Sequence, residues 1–216
     1  MKRTSMNISK NVIRRLPRYL HKLDDLANNG EKRISSGELG RQMGLTPSQI
    51  RQDFSCFGEF GQQGYGYSIA PLREQMGQIL GLDRSYSVIQ VGVGNIGHAL
   101  IENFNSIIEG YRLLGAFDER PELIGSKIGD TPVYSSKNLT DFIQKNRVDI
   151  AILAVPRDVA QKLTNNMISA GIRAIWNFTN VELDTGDSGV LVENIHFSDS
   201  FLTLTYYLAE EDDVKK

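Results

Sequence analysis

The sequence predicts an α/β protein with an N-terminal winged helix-turn-helix domain and a C-terminal Rossmann-like domain, a doubly wound parallel sheet. Three observations predict this fold. Short helical patterns separated by turn residues fill the first third, a glycine-rich motif directly follows an apolar strand, and apolar strands then alternate with helical patterns. The predicted domains span residues 1–82 and 83–197, and residues 198–216 form a C-terminal helix and acidic tail. A length of 216 residues accommodates two such domains.

Composition excludes several classes of protein. The chain is 40% hydrophobic and 23% charged and has no apolar run of 18 residues, so we expect no membrane-spanning helix. Cys56 is the single cysteine, which excludes an internal disulfide and a cysteine-based zinc site, and no ligand cluster predicts another metal. The basic, polar start lacks the apolar segment of a signal peptide, so we expect a cytoplasmic location.

Charge is distributed unevenly along the chain. Residues 1–82 carry 12 lysines and arginines against 7 acidic residues, whereas the rest of the chain carries 12 against 19. A basic front end favours binding to a polyanion such as DNA. The alternative explanation is that these residues form the solvated faces of ordinary helices.

The first helical pattern starts at Ser9 and places basic residues, including Arg15, between regularly spaced apolar ones. Pro17 lies inside this pattern. Because proline has no amide hydrogen to donate, we expect a kink or a new first turn there. Turn residues 28–30 are expected to end the helix.

Two short helices follow, joined by a turn at Gly44. Ser35 and Glu38 have capping-box spacing, and Thr46 with the proline after it repeats the start signal. Over residues 17–56 this arrangement is typical of a helix-turn-helix. The predicted DNA contacts on the helices are Arg15, Ser48, Gln49, Arg51 and Gln52. A generic helical hairpin would also expose polar residues.

Aromatics alternate with glycines after the second short helix, which predicts a β-hairpin wing over residues 58–68. Its tip, Gln62, Gln63 and Gly64, is predicted to approach the DNA backbone or minor groove. For the aromatic residues Phe60, Tyr65 and Tyr67, packing beneath the helices is the better explanation.

A dinucleotide-binding motif opens the second domain. The strand pattern at residues 87–91 leads directly into G-x-G-x-x-G and then a helix, whose N-terminus supplies amide donors for phosphate. The motif residues are Gly92, Val93, Gly94, Asn95, Ile96 and Gly97. Asp118 ends the next strand, where a carboxylate binds the adenosine ribose, and this favours NAD(H). Arg120 keeps NADP open, and a CoA-type ligand stays open because the loop recognises pyrophosphate.

Ligands in doubly wound sheets bind beyond the carboxyl ends of strands. Residues at the ends of two later strands are therefore predicted to line the nicotinamide side: Ala154, Val155, Pro156, Asn177 and Phe178. Pro156 is equally well explained as a strand terminator. The last apolar pattern, from Ser198 to Ala209, predicts a helix.

The sequence predicts a binding protein rather than an enzyme. A dehydrogenase needs an acid or base beside the nicotinamide, and His98, next to the glycine loop, fits a helix-surface residue better. An oxidoreductase with a basic N-terminal module remains the first alternative, and a CoA-responsive regulator the second. Cys56 lies between Phe54 and Phe57 and fits a small core residue better than a reactive thiol.

Specific motifs occur in both domains. They are residues 15–20, 34–40, 46–54, 57–61 and 64–67 in the first, and residues 92–97, 117–118 and 155–156 in the second. In this combination the chain resembles, over nearly its whole length, the redox-sensing transcriptional repressor Rex family of bacteria. The Phe-Gly-Glu-Phe-Gly run at residues 57–61 is far more specific than the glycine fingerprint.

The resemblance implies a homodimer that binds inverted-repeat operator DNA when the NADH/NAD⁺ ratio is low and releases it when NADH binds. NADH and NAD⁺ are then regulatory ligands. A domain-swapped C-terminal helix would carry Phe197 of one subunit toward the nicotinamide bound by the other. The chain departs from the family pattern at Cys56, Asn103 and His196, where the family usually has Tyr, Tyr and an acidic residue.

Overall fold

The structure is a computed structural model that describes residues 8–58, 60, 65–104 and 110–215. The chain divides into two compact units, Met1–Arg84 and Ser85–Lys216. Within the described ranges, no helix has the length and apolar character needed to cross a membrane. The same ranges contain no group of three or more His, Cys, Asp or Glu side chains that could hold a metal ion.

The N-terminal unit contains helices and a small two-stranded sheet. Its described elements are α1 (Lys10–Asn28), β1 (Arg33–Ile34), α2 (Ser36–Met43), α3 (Pro47–Ser55), β2 (Tyr67–Ser68) and α4 (Ile69–Leu80). The helices α2 and α3 are the predicted helix pair. β1 pairs with β2 in antiparallel fashion, so the strand that ends the predicted wing region is held by the segment between α1 and α2.

The predicted start and stop signals of the helix pair are present. Ser35 Oγ accepts a hydrogen bond from the backbone amide three residues later at 3.0 Å, and Thr46 Oγ1 does the same at 3.1 Å. Each bond satisfies an amide that has no partner within its helix. Gly44 ends α2 in the left-handed conformation, with a φ of 68°.

Of the two expectations at Pro17, a kink or a new first turn, the new first turn does not occur, because α1 is one continuous helix of 19 residues. Proline removes one backbone hydrogen bond from a helix. Here Leu16 before it and Tyr19 after it are both buried on the same apolar face. Because burying such a face supplies most of the stability of a helix in a protein, α1 persists through the proline.

Packing beneath the helices was expected for all three aromatic residues of the predicted wing, and two of them do pack there. The Phe54 ring of α3 makes edge-to-face contacts with Phe60 and Tyr67, at centroid distances of 5.7 and 5.1 Å. Tyr65 differs, because it is 72% exposed. The predicted wing tip, Gln62, Gln63 and Gly64, lies outside the described residues. Its contact with DNA stays a prediction.

The C-terminal unit is built on one sheet flanked by helices. Its described strands are β3 (Ser87–Val91), β4 (Arg112–Asp118), β5 (Lys127–Ile128), β6 (Thr131–Ser135), β7 (Ile150–Leu153), β8 (Ala174–Asn177) and β9 (Leu191–Asn194). Its described helices are α5 (Asn95–Glu102), α6 (Leu139–Asn146), α7 (Arg157–Ser169) and α8 (Phe197–Val214). The strand order is β5-β6-β4-β3-β7-β8-β9.

Strand β3 lies at the centre of the sheet, where the strand order reverses. All five of its residues are buried, and its parallel neighbours are β4 on one side and β7 on the other. The strands from β6 through β9 in this order are all parallel, which is the order of a Rossmann fold. The predicted doubly wound sheet is therefore confirmed, and its ligand site is expected beyond the carboxyl end of β3.

Two parts of the sheet depart from a regular alternation of strand and helix. β5 pairs with β6 in antiparallel fashion, so this edge of the sheet is a hairpin. Residues 178–190 connect β8 to β9 without a helix. Hydrogen bonds with Asn177 at the end of β8 and with Gln161 of α7 hold this loop.

The C-terminal helix α8 is apolar but has no buried residue. It is longer at both ends than the predicted segment from Ser198 to Ala209. The large apolar side chains that it exposes by more than half are Phe197, Phe201, Leu202, Leu204, Tyr206, Tyr207, Leu208 and Val214. So large an exposed apolar surface is rare on a monomer and is typical of an interface.

Candidate functional site

The glycine motif forms a tight loop between β3 and α5. Gly92 has a φ of 89°, and a Cβ built on it would overlap the carbonyl oxygen of Ala154 just beyond β7. A Cβ on Gly97 would overlap the carbonyl oxygen of Gly92. Side chains at either position would push the loop away from β7 or from α5, so this loop geometry requires both glycines.

The N-terminus of α5 is open toward the space beyond β3. Its N-cap residue is Gly94, so no capping side chain bonds to the first amides of the helix. A Cβ at this glycine would meet nothing within 4 Å. Amides at a helix start lack partners within the helix and carry the positive end of its dipole. The loop therefore offers hydrogen-bond donors to a phosphate group, as the motif predicts.

Gln90 stabilises this loop from within strand β3. This role was not predicted from the sequence. Its side chain is fully buried in β3, and its Nε2 donates to the Gly92 carbonyl oxygen at 2.8 Å. Among the described residues, its Oε1 is a buried side-chain atom that has no hydrogen-bond partner. The available signal was a polar residue inside an otherwise apolar strand next to the motif.

Asp118 lies at the carboxyl end of β4, beside the glycine loop, as predicted. Its Oδ2 accepts a hydrogen bond from the Val93 amide at 2.8 Å, and its Oδ1 accepts one from the Arg120 amide at 3.0 Å. The Arg120 guanidinium also donates to both oxygens. Burial by itself would raise the pKa of Asp118, but these hydrogen bonds outweigh burial and lower it to about 2.

The predicted nicotinamide-side residues follow the neighbouring strands β7 and β8. The Ala154 amide donates to the Val91 carbonyl oxygen at 2.8 Å, and a Cβ on Gly92 would also contact the Val155 side chain. These contacts bring the end of β7 against the glycine loop. Pro156 is the N-cap of α7, so it ends the strand region and starts a helix.

Asn177 has a supporting role within the described structure. Its Nδ2 donates to the Asn194 Oδ1 at 2.8 Å and to a loop carbonyl, and its Oδ1 accepts from both the amide and the hydroxyl of Thr179. The side chain is 1% exposed. These bonds stabilise the connection from β8 to β9, and contact between this amide and a ligand stays a prediction.

Phe178 and Phe197 lie together at the start of α8. Their ring centroids are 6.0 Å apart, and the Phe178 ring also contacts Trp176 at 4.7 Å. Phe178 is 8% exposed, whereas Phe197 is 55% exposed. The aromatic pair therefore adds an apolar surface near the end of β8.

A polar chain connects the end of β8 to the residue before α8. The Asn194 Nδ2 donates to Glu182 Oε2 at 2.8 Å, and His196 Nε2 lies 3.3 Å from Glu182 Oε1. His196 is one of the positions that depart from the family pattern. The other two make local contacts within their own helical segments, Asn103 Nδ2 with the Ala99 carbonyl and Cys56 Sγ with the Gln52 carbonyl.

The helix α3 presents part of the predicted DNA-contacting set to solvent. Ser48, Arg51 and Gln52 are exposed. The Arg51 guanidinium is held by two hydroxyls, from Ser36 at 3.0 Å and from Ser48 at 3.2 Å. These bonds keep a positive charge on the outer face of α3, where a phosphate or a base edge could replace the hydroxyls.

Arg15 and Gln49, in contrast, point to the buried carboxylate of Asp53. Arg15 donates from Nε and Nη2 to the two oxygens at 2.7 and 2.8 Å, Tyr19 donates its hydroxyl at 2.7 Å, and Gln49 donates its amide at 2.8 Å. The Asp53 side chain is fully buried. The three bonds from Arg15 and Tyr19 fix α1 against α3, and the bond from Gln49 lies within α3. Direct contact of Arg15 and Gln49 with DNA stays a prediction.

The Asp53 network was not predicted from the sequence, in which Asp53 was noted only as part of the motif at residues 46–54. The available signal was a carboxylate beside the apolar residues Ile50 and Phe54, on the face of α3 that is buried. Burial would raise the pKa of Asp53, but the hydrogen bonds from Arg15, Tyr19 and Gln49 lower it. Burial and the bond to Asp53 raise the pKa of Tyr19.

Replacing Asp53 with Asn should destabilise the N-terminal unit by about 3 kcal/mol, because it leaves Arg15 without its charged partner in a largely buried position. Equilibrium urea unfolding followed by circular dichroism measures the change. The matched control is Asp24→Asn, which removes the exposed ion pair between Asp24 and Arg73 and should cost less than about 1 kcal/mol.

The stabilisation by Asp53 also depends on pH. Because the pKa of Asp53 is lower in the folded than in the unfolded state, the contribution is complete above the unfolded-state pKa and is lost as pH falls toward the folded-state pKa. The Asp53→Asn variant should therefore lose less stability on acidification than the wild type does. Equal unfolding free energies for D53N and D24N at neutral pH would contradict the assignment.

Together, the described residues define a class of protein. One unit carries a capped helix-turn-helix whose second helix exposes Ser48, Arg51 and Gln52. The other carries a Rossmann sheet with a dinucleotide-type glycine loop and carboxylate. This is the organisation of a ligand-responsive DNA-binding regulator.

Comparisons with known proteins agree with this class. A family model described as "Putative DNA-binding protein N-terminus" matches residues 7–55, and one described as "CoA binding domain" matches residues 83–181. The redox-sensing transcriptional repressor Rex of Caldicellulosiruptor bescii is 52% identical over 206 residues, which cover 95% of this chain and 94% of the relative. The Rex repressor of Clostridium perfringens is 47% identical, covering 95% and 96%.

Solved structures show the same likeness. The crystal structure of RSP in complex with β-NAD⁺ and operator DNA is 47% identical, with a TM-score of 0.89 and coverage of 96% of this chain and 95% of that one. RSP in complex with β-NADH is 45% identical, with a TM-score of 0.89 and coverage of 98% of both chains. This chain belongs to the Rex family of redox-sensing transcriptional repressors. The predicted resemblance to this family is confirmed. The prediction that the chain is a regulator rather than an oxidoreductase is confirmed as well.

Proposed function

We propose that this protein is an NADH-responsive transcriptional repressor, which binds an inverted-repeat operator as a homodimer when NADH is scarce and releases it when NADH binds. The observation that carries the proposal is the pairing of Asp118 with the glycine loop at the point where the strand order reverses. A related repressor, RSP, has been crystallised with β-NAD⁺ and operator DNA and, separately, with β-NADH.

The dinucleotide would lie across the carboxyl edge of the sheet. Amides of the glycine loop and of the start of α5 would hold the pyrophosphate, and Asp118 would accept hydrogen bonds from the adenosine ribose. The proposed binding residues are Gly92, Val93, Gly94, Asn95, Ile96, Gly97, Asp118, Ala154, Val155, Pro156, Asn177, Phe178 and Phe197. Asn177 would act by supporting this edge through its internal bonds.

The apolar character of the nicotinamide side favours the reduced cofactor. NAD⁺ carries a cationic pyridinium ring, whereas the dihydropyridine ring of NADH is neutral. Burying a cation against Val155, Pro156 and Phe178 without a counter-charge has a desolvation cost that the neutral ring avoids. We therefore expect tighter binding of NADH than of NAD⁺.

DNA contact would come from the outer face of α3. Ser48, Arg51 and Gln52 would reach bases and phosphates, and Gln62, Gln63 and Gly64 would form a wing contact. Arg15 and Gln49 belong to the proposed interface through the Asp53 network, which sets the orientation of α3. A repressor acts where the chromosome is, so we place the protein in the bacterial cytoplasm.

Helix α8 would form the dimer by exchange between subunits. Its apolar side chains are exposed within one chain, and crossing to a second copy would bury them. The exchange would also bring Phe197 of one subunit to the nicotinamide side of the other. In a dimer, the two copies of α3 would lie at half-sites one helical turn apart, as an inverted repeat requires.

Replacing Leu204 with Glu should convert the dimer to a monomer, because a charge would be buried in the middle of the apolar stretch of α8. Size-exclusion chromatography with light scattering measures the mass. The matched control is Val214→Glu, the same type of change in the last turn, because the acidic residues 210–213 separate that position from the apolar stretch. A monomeric wild type, or an L204E variant that stays dimeric, would contradict the exchange.

The functional test is fluorescence anisotropy of a labelled AT-rich inverted-repeat duplex, titrated with the full-length protein at one salt concentration. NADH should weaken operator binding by about tenfold or more, as a coupling of 1–3 kcal/mol allows, and NAD⁺, NADPH and CoA should have little effect. By linkage, operator DNA must weaken NADH binding by the same factor. Release by CoA instead would favour the CoA-responsive alternative, and NADH turnover with a carbonyl substrate would favour the oxidoreductase.

Two glycine substitutions separate ligand approach from folding. Gly94→Ala should keep the fold, because a Cβ there meets nothing within 4 Å, yet it should abolish NADH binding, because the methyl group lies where the pyrophosphate approaches. Gly97→Ala should lower the unfolding temperature as well, because its Cβ overlaps the Gly92 carbonyl. Calorimetric NADH titration and thermal unfolding give the two readouts. A G94A variant that binds NADH normally would contradict the proposed site.

A further inference from the structure

The Arg120 guanidinium occupies the carboxylate that would bind the adenosine ribose. We propose that Arg120 is a specificity-determining residue of the dinucleotide site: it competes with the ribose of NADH for Asp118, and it narrows the preference for NADH over NADPH. The inference rests on the proposed binding of a nicotinamide dinucleotide.

The argument starts from the hydrogen-bonding capacity of Asp118. An ionised carboxylate has about four acceptor positions, two on each oxygen. Oδ1 accepts from the Arg120 amide and from Arg120 Nε, both at 3.0 Å. Oδ2 accepts from the Val93 amide at 2.8 Å and from Arg120 Nη2 at 3.1 Å. All four positions are therefore filled before a ligand arrives.

Two of these donors are fixed and two can leave. The amides of Val93 and Arg120 are part of the backbone at the glycine loop and at the end of β4. The Nε and Nη2 donors belong to a side chain that is 49% exposed, whereas the Asp118 side chain is 11% exposed. The hydroxyls of a ribose can thus reach Asp118 by taking the positions of the guanidinium, without disturbing the loop.

Displacing the guanidinium also breaks a bond to the loop itself. Arg120 Nη2 donates to the Val93 carbonyl oxygen at 2.6 Å. The side chain of Arg120 therefore bridges Asp118 and the glycine loop on the side where the adenosine would enter. Losing these contacts weakens the binding of every ligand whose ribose uses Asp118.

The charge of Arg120 acts in the opposite direction on a 2′-phosphate. Asp118 is ionised at neutral pH, since its pKa is about 2, and Glu119 and Glu122 follow it closely. Arg120 is the only basic residue from position 118 to 126. Once displaced from the carboxylate, its guanidinium stays on the same exposed turn and can pair with a phosphate. Arg120 therefore offsets the repulsion by which Asp118 excludes NADPH.

The test compares Arg120→Met, Arg120→Lys and wild type by calorimetric titration of the full-length protein with NADH and with NADPH. R120M removes both the competition and the charge, so NADH should bind about fivefold more tightly, the worth of a partly exposed ion pair. NADPH should bind about tenfold more weakly. R120K keeps the positive charge but cannot donate two parallel hydrogen bonds as a guanidinium does. It should therefore retain the NADPH affinity of wild type within about twofold.

Arg112→Met is the matched control, because it removes the same charge from the exposed opposite end of β4. It should leave both affinities unchanged. Unchanged or weaker NADH binding by R120M would overturn the competition, and unchanged NADPH binding would overturn the effect on specificity. If neither wild type nor R120M binds NADH, the proposed function itself fails and the inference with it. NADH binding by R120M alone would support the competition.

Discussion

The close approach of backbone to backbone at the glycine loop is the constraint on which the nucleotide-binding unit depends. Because Gly92 and Gly97 have no side chains, the loop lies directly against the end of β7 and against the start of α5. That contact sets where the free amides of α5 point. It also places the Val93 amide within 2.8 Å of Asp118. Strand order, helix start and ribose-binding carboxylate are therefore linked through one loop.

Each unit contains a carboxylate that hydrogen bonds organise. Asp53 joins α1 to α3 in the N-terminal unit, and Asp118 joins β4 to the glycine loop in the other. They differ in what the arginine can do. Arg15 is 22% exposed and its partner is fully buried, so its role is to hold α1 against α3. Arg120 is more exposed, and its guanidinium can move aside for a ligand.

Much of the fold was predictable because local rules govern it. The caps at Ser35 and Thr46, the left-handed Gly44 and the order of strand, glycine motif and helix all follow from neighbouring residues. The continuity of α1 through Pro17 was not predictable in this way. Local chemistry favours a break there, and the buried apolar face on both sides of the proline outweighs it.

The candidate site shows the same division. The sequence predicted the glycine loop and placed Asp118 at the end of the following strand, since the glycine pattern and the spacing to that strand carry this information. It did not identify Gln90 as the support of the loop or the role of Asp53. Those roles depend on partners such as Arg15, 38 positions away along the chain. The placement of Asn177 in the ligand lining stays a prediction, and the internal bonds of its amide were not predicted from the sequence.

The sequence by itself determined the two domain types, the glycine loop, the carboxylate after β4 and the apolar C-terminal helix, because turns, caps and periodicity are properties of neighbouring residues. Only the tertiary structure decided which polar side chains remain available. Folding pairs Arg15 and Gln49 with Asp53 and the Arg120 guanidinium with Asp118, while Ser48, Arg51 and Gln52 stay exposed. The physical reason is that a buried charge must find hydrogen-bond partners, and those partners come from whatever the fold brings near.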